Sequence, residues 1–216
     1  MQTANPASAL SAYSLPEIVR VLAAHKPLTN PSERAAKRAA VAVILRESPQ
    51  TPGVEALFVK RAEHPRDPWS GHMAFPGGHQ DSQDPSLEAA ARREAFEEVG
   101  IILDPALNVG RLSDIHGGRL RETGMTVSPF IYTFFGPTNL VLSEEVAETV
   151  WVPLTHLADP RSIKPYVYHL DPTKRSFPSI SYGKFSIWGM TYRMVEDFLD
   201  LFGHKIPGET AMTEIE

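Results

Sequence analysis

The chain contains no cysteine. That removes a disulfide framework, a thiol nucleophile and any cysteine-based zinc site. No apolar run approaches the roughly 18 residues of a membrane span, and the stretch from Met1 to Ala9 has neither the basic nor the apolar region of a secretion signal. A soluble cytoplasmic protein without a membrane partner is the expectation. Basic charge is also in deficit, with 21 Lys and Arg against 26 Asp and Glu and a formal net charge of -5. A protein that grips a nucleic-acid backbone normally presents a basic surface, so no nucleic-acid partner is expected. A small phosphorylated ligand stays compatible, because a few arginines and a metal ion can neutralise a diphosphate.

What is present suffices for one domain with a full core: 216 residues, 42% of them hydrophobic. Residues 1–35 read as an N-terminal segment, small and polar at first. A capping-box pattern at Ser14 and Glu17 then precedes Ile18, Val19, Val21 and Leu22, which predicts a short helix needing a resting place on the main domain or a second subunit. Runs rich in Val, Ile, Leu and Phe predict strands over 39–45 and 54–59, and further strands near 109–115, 126–135 and 148–152. Turns are expected at Gly117-Gly118 and Gly136-Pro137, and helical periodicity returns from Ile187 to Leu201. Pro65 to Ser70 is too rich in proline to be regular, and 204–216 reads as a tail. There is no internal repeat. Strands around one central helix with a second helix near the end fit an α/β fold, an α/β/α sandwich on a mixed β-sheet.

The central helix carries the chemistry. Asp84 is a candidate N-cap, Pro85 has a first-turn position, and Gly100 stands where helices exit through a left-handed residue. At about 100° per residue, Glu97 falls roughly 60° to one side of Glu94 and Glu98 roughly 40° to the other. Three carboxylates on one narrow face repel one another unless a cation sits among them, and a hard divalent metal such as Mg²⁺ fills that role. Arg93, four residues before Glu97, is placed to hold that carboxylate in orientation. Ala95, Phe96 and Val99 project from the opposite side as a face for packing on a sheet. An isolated Glu-x-x-Glu-Glu run would read as a solvated helix face. The upstream Phe75-Pro76-Gly77-Gly78 loop, the adjacent arginine and the glycine stop argue otherwise.

The segment from Gly78 to Ile101 resembles the signature of the Nudix hydrolases: Gly, five residues, Glu, seven residues, Arg-Glu, aliphatic, any, Glu-Glu, any, Gly, aliphatic. Here Asp84 stands for the first Glu, one extra residue precedes Arg93-Glu94, and Ala95 is small where a larger aliphatic is usual. Leu57-Phe58-Val59-Lys60-Arg61-Ala62 followed by Gly71-His72-Met73-Ala74-Phe75-Pro76-Gly77-Gly78 is similar to the additional motif of the coenzyme A pyrophosphatase branch. Val59 replaces its Thr, and Arg66 sits one residue farther from Gly71. The runs Val127–Phe130, Glu145–Glu148 with Val152–Leu154, and Ile187–Thr191 also look like this branch. The resemblance covers roughly residues 38 to 202. It implies a Nudix domain over 36–203, an α/β/α sandwich, and Mg²⁺-dependent (Mn²⁺ possible) hydrolysis of a small nucleoside diphosphate substrate by a monomer or homodimer.

On that footing Glu94 and Glu98 are the principal metal ligands, Glu97 a further or alternate ligand, a carbonyl of Gly77 or Gly78 a supplement, and Arg93 the orienting residue. The base that deprotonates water is sought among Glu144, Glu145 and Glu148, with Glu145 assigned; the sequence reads each equally well as a surface acid. Arg61, Arg66, Phe75, Gly77 and Gly78 are expected to meet substrate. His72 and His79 read as loop histidines, and Trp188, Tyr182 and Phe185 as base-stacking types, although Trp188 at a helix start fits a core position better. The favoured substrate is coenzyme A or its derivatives such as thioesters, cleaved to adenosine 3',5'-bisphosphate and a 4'-phosphopantetheine species. Two alternatives stand beside it: the same chemistry on ADP-ribose, NADH or a nucleotide sugar, and a non-catalytic nucleotide sensor.

Overall fold

The computed structural model describes residues 13–29, 37–65, 67, 69–116, 125–136, 139–170, 173–208 and 213–215. The turn expected at Gly117-Gly118 and the residues before Tyr13 lie outside them.

Strand β1 (Lys37–Glu47) is the spine. Its strict alternation sends Ala39, Val43 and Leu45 into one core and Ala40, Ala42 and Ile44 into another. It runs parallel to β7 (Met125–Thr133) and antiparallel to β2 (Val54–Arg61) and β4 (Gly77–His79). Beyond these, β3 (Met73–Ala74) and β8 (Val146–Pro153) pair with β2, while β5 (Asn108–Arg111) and β6 (Ile115–His116) pair with β7. The result is one mixed sheet of eight strands.

Helix α2 (Leu87–Val99) covers one face, laying Ala90, Ala91 and Ala95 over Ala40 and Ala42. Alanine on alanine brings helix and sheet close, so the small Ala95 is a packing requirement of this sheet. On the other face lie α1 (Leu15–Ala24), through Leu15, Ile18 and Leu22, and α4 (Gly189–Asp200), through Tyr192, Met194, Val195, Phe198 and Leu199; between them in sequence falls one turn of helix, α3 (Leu154–Leu157). The α/β/α sandwich is thus realised, and α1 rests on the main domain.

Several local expectations change. Helix α2 begins after Ser86, whose side chain accepts a hydrogen bond from the Ala89 N–H at 3.1 Å, so Ser86 caps the helix instead of Asp84. Phe96, expected on the packing face, is 55% exposed. Ser14 makes no side-chain cap, and Glu17 pairs with Arg20 at 2.8 Å. Ile187 and Trp188 belong to a strand, and α4 starts at Gly189.

A second sheet is formed by β9 (Ile163–Leu170), β10 (Thr173–Tyr182), β11 (Phe185–Trp188) and β12 (Thr213–Ile215), where the sequence predicts only a helix from Ile187. Pro165 and Pro178 mask it, yet they sit opposite each other in the β9–β10 ladder. A facing pair that exchanges no N–H···O bonds loses nothing to proline.

Candidate active site

The buried half of α2 fixes what its other half presents. With Ala90, Ala91, Ala95 and Val99 locked in the core, Glu94, Glu97 and Glu98 line a cleft of about 250 Å³. Its other wall is Ser143, Glu144 and Glu145, in the loop before β8. That loop is tied to the helix by Val141 N–H to Val99 O at 3.1 Å and Ser143 N–H to Glu98 O at 3.0 Å, and to the end of β2 by Ala62 N–H to Glu145 O at 2.8 Å. Of the three candidate bases, Glu144 and Glu145 are therefore at the cleft. Glu148 instead binds Lys184 at 2.5 Å and Lys60 at 3.7 Å.

The glycine loop is shaped by the same helix. Gly77 has φ +156°, and a Cβ there would lie 2.3 Å from the Ala40 carbonyl oxygen; one on Gly78 would lie 2.5 Å from Glu94 Oε1. A side chain at position 77 would strike backbone, and one at position 78 would displace the Glu94 carboxylate. The freed Gly77 N–H donates to Glu98 Oε2 at 3.0 Å.

Arg93 is surrounded. Its Nη1 reaches Glu94 at 2.9 Å and Glu97 at 2.8 Å, its Nε and Nη2 reach Asp84 at 3.1 and 2.9 Å, and Nη2 also reaches the His79 carbonyl at 3.0 Å. These hydrogen bonds, that to Asp84 above all, hold the guanidinium charge more firmly than usual, and Arg93 in turn holds the Asp84 carboxyl below its ordinary range. Asp84 was assigned to the helix cap; its work is to brace Arg93. Its acidic character at the first acid position of the motif was the available signal.

Glu98 has no such cation. It is 4% exposed, and burial pushes its carboxyl up to about 7, against the Gly77 N–H, with Glu94 and Glu145 adding like charge. Burial also raises Glu94, against the pull of Arg93. Among the described residues the cation nearest Glu98 is Arg61, its Nη1 4.0 Å from Oε1. Arg61 is itself gripped by Asp67, which accepts from Nε at 2.9 Å and Nη2 at 2.8 Å. Asp67 lies in the proline-rich stretch, where no spacing pointed to it.

Among the described residues, no three Asp, Glu or His groups converge as a ready-made metal cage. The donor set nevertheless fits a hard divalent cation: oxygen ligands only, two of them under-neutralised because they are buried, along an open cleft.

Phe75 does not face the cleft. It is 4% exposed and stacked 4.6 Å from Phe58 in the core behind the glycine loop, so the expected substrate contact is corrected to a packing role. Arg66 lies outside the described residues. The ring of His72 turns away to Trp188, 4.6 Å between centroids, and burial lowers its pKa. Tyr182 and Phe185 pack against the α4-side core.

The family model described as NUDIX domain matches residues 36–170. Proteins named "Uncharacterized Nudix hydrolase NudL" are similar over most of the chain. That of Enterobacter sp. (strain 638) is 34% identical, covering 78% of this chain and 84% of the relative, and that of Salmonella dublin is 32% identical, covering 88% and 92%. Among solved structures, a MutT/nudix family protein from Enterococcus faecalis superposes with TM-score 0.56 at 16% identity, over 94% of this chain and 76% of the other, a likeness of fold.

Proposed function

Since the chain belongs to the Nudix hydrolase family, a pyrophosphohydrolase family acting on nucleoside diphosphate derivatives with divalent metal, we propose that it is a Mg²⁺-dependent hydrolase of coenzyme A or its thioesters. The observation that carries the metal chemistry is the buried, under-neutralised Glu98 in a cleft shared with Glu94, Glu97 and Glu145. The coenzyme A assignment is supported by the motif upstream of the helix: its Arg61 and its Gly77 are the two groups that address Glu98.

Glu94 and Glu98 would hold Mg²⁺, with Glu97 and the Gly78 carbonyl as supplementary ligands. When bound, the ion neutralises diphosphate oxygens and makes water a better nucleophile at neutral pH. The chain's own residues supply the rest. Glu145, held at the rim by its backbone bond to Ala62, takes the proton of the attacking water. The new bond is water oxygen to phosphorus, and the bond that breaks joins that phosphorus to the bridging oxygen, which leaves on the other phosphate. Arg61, braced by Asp67, meets the charge that builds on phosphate oxygens, and Arg93 keeps Glu94 and Glu97 oriented. A pure nucleotide sensor has no use for a base facing such a ligand set.

The test is hydrolysis of coenzyme A, ADP-ribose, NADH and a nucleotide sugar with and without Mg²⁺, the products resolved by mass. Adenosine 3',5'-bisphosphate and 4'-phosphopantetheine, formed only with the metal and faster than the other products, are the expected result. Preference for ADP-ribose would reject the coenzyme A assignment, and turnover in excess chelator would reject the metal.

A further inference from the structure

The second sheet has two unlike faces. Paired residues of neighbouring strands project to the same side. Ile180 pairs with both Ile163 and Ile187, and the three pack in the core with α4. On the reverse side the register sets Arg175 opposite both Tyr168 and Glu214, Tyr166 opposite Phe177, and Ser179 opposite both Lys164 and Trp188. The Trp188 ring lies 4.5 Å from Tyr166, 4.9 Å from Tyr168 and 5.5 Å from Phe177. None of these four aromatics belongs to either core cluster, and each keeps part of its surface open.

This face adjoins the cleft. The His72 ring packs on Trp188, while the His72 carbonyl accepts from the Arg61 N–H at 3.0 Å, and Arg61 lies between Asp67 and Glu98. Arg61 is thereby committed to the diphosphate end. A further phosphate on the substrate needs another cation, and Arg175 stands on the aromatic face with a buried Nε that has no hydrogen-bond partner among the described residues.

We propose that the outer face of the second sheet is the subsite for the nucleoside end of the substrate: the base lies against the rings of Tyr166, Tyr168, Phe177 and Trp188, and Arg175 meets a phosphate carried on the ribose. The proposal rests on the diphosphate hydrolase reading above. Rings of any nucleobase stack on such a surface, and the guanidinium adds selection for a nucleotide phosphorylated away from the diphosphate.

Tyr168→Leu and Arg175→Gln are assayed with Mg²⁺ on coenzyme A and on dephospho-coenzyme A, with thermal unfolding measured alongside. Tyr168→Leu is expected to raise KM about tenfold on both substrates with kcat unchanged. Arg175→Gln is expected to raise KM about tenfold on coenzyme A alone. An Arg175→Gln effect equal on the two substrates, or a Tyr168→Leu loss confined to kcat, overturns the proposal. If Tyr168→Leu does not fold, the Arg175→Gln comparison decides. If the wild type cleaves neither substrate, the hydrolase reading has failed separately. Calorimetric binding of adenosine 3',5'-bisphosphate then decides the subsite: weaker binding to Arg175→Gln supports it, and equal or absent binding overturns it.

Discussion

Two arginines approach the acidic stripe of α2 from different sides, and they leave it in different states. Arg93 is saturated by Asp84, Glu94, Glu97 and a backbone carbonyl, yet burial still raises Glu94 against its pull. Arg61 spends two of its donors on Asp67 and comes only within 4.0 Å of Glu98. A carboxylate buried without a full partner is the costly arrangement, and it persists where something else is to supply the charge. Arg93 and Asp84 are scaffolding; Glu98, with Glu94 beside it, is the seat of the chemistry.

The sharpest way to break this contrast is Glu98→Gln. Turnover is expected to fall ~1000-fold, since an amide is a poor ligand for a hard cation and the several kcal/mol of metal assistance go with it. Near-normal kcat at saturating Mg²⁺ would instead place Glu98 among the structural acids.

Next in size is a pH effect on the metal-free protein. Glu98 titrates near 7 when folded against an ordinary 4.5, so the folded chain holds more protons than the unfolded one between those values. Its stability therefore declines as pH rises through that window, by up to about 3 kcal/mol from this group. Denaturant unfolding in chelator at pH 5 and pH 7 measures it. In Glu98→Gln the decline should be smaller by that amount, and an unchanged pH dependence would show that Glu98 does not carry it.

At Arg93 and Asp84 the consequences are milder. Asp84→Asn removes the main brace of Arg93 and should cost about 2 kcal/mol and a ~10-fold loss in kcat. The contribution of Asp84 is present above the ordinary carboxylate range, because Arg93 holds its pKa low, and is lost as pH falls through the folded value. Smallest is Ser86→Ala, about 1 kcal/mol from the lost cap with kcat unchanged; a wild-type melting temperature would return the capping role to Asp84.

The contrast was half legible in the sequence. The acidic triplet, the Arg93–Glu97 pair and the glycine exit are local patterns within one helix, and spacing alone resolves them. Asp84 reads as the helix cap, but its carboxylate braces Arg93 from nine residues away and Ser86 caps the helix. Asp67 reaches Arg61 from an irregular loop, a pairing that only the β2–β3 geometry creates. Phe75 looked like part of a ligand loop because its neighbours are, yet the chain turns it inward onto Phe58. The second sheet was hidden because its prolines read as breaks and its two-faced aromatic pattern carries no single period.

The hydrogen bonds from Val141 and Ser143 to the end of α2, and from Ala62 to Glu145, bear on the order of assembly. The cleft is closed by segments that lie far apart in sequence, Ala62 meeting Glu145 and Val99 meeting Val141, so its walls meet only after β1, β2 and the loop before β8 have found one another. Contacts so distant in sequence form late, after the loop-closure entropy has been met. An isolated helix fragment would carry three of the acids but not the confinement that raises Glu98. Affinity for a divalent ion is thus a property of the finished fold, and ion binding during refolding would report the arrival of the last wall, not the formation of the helix.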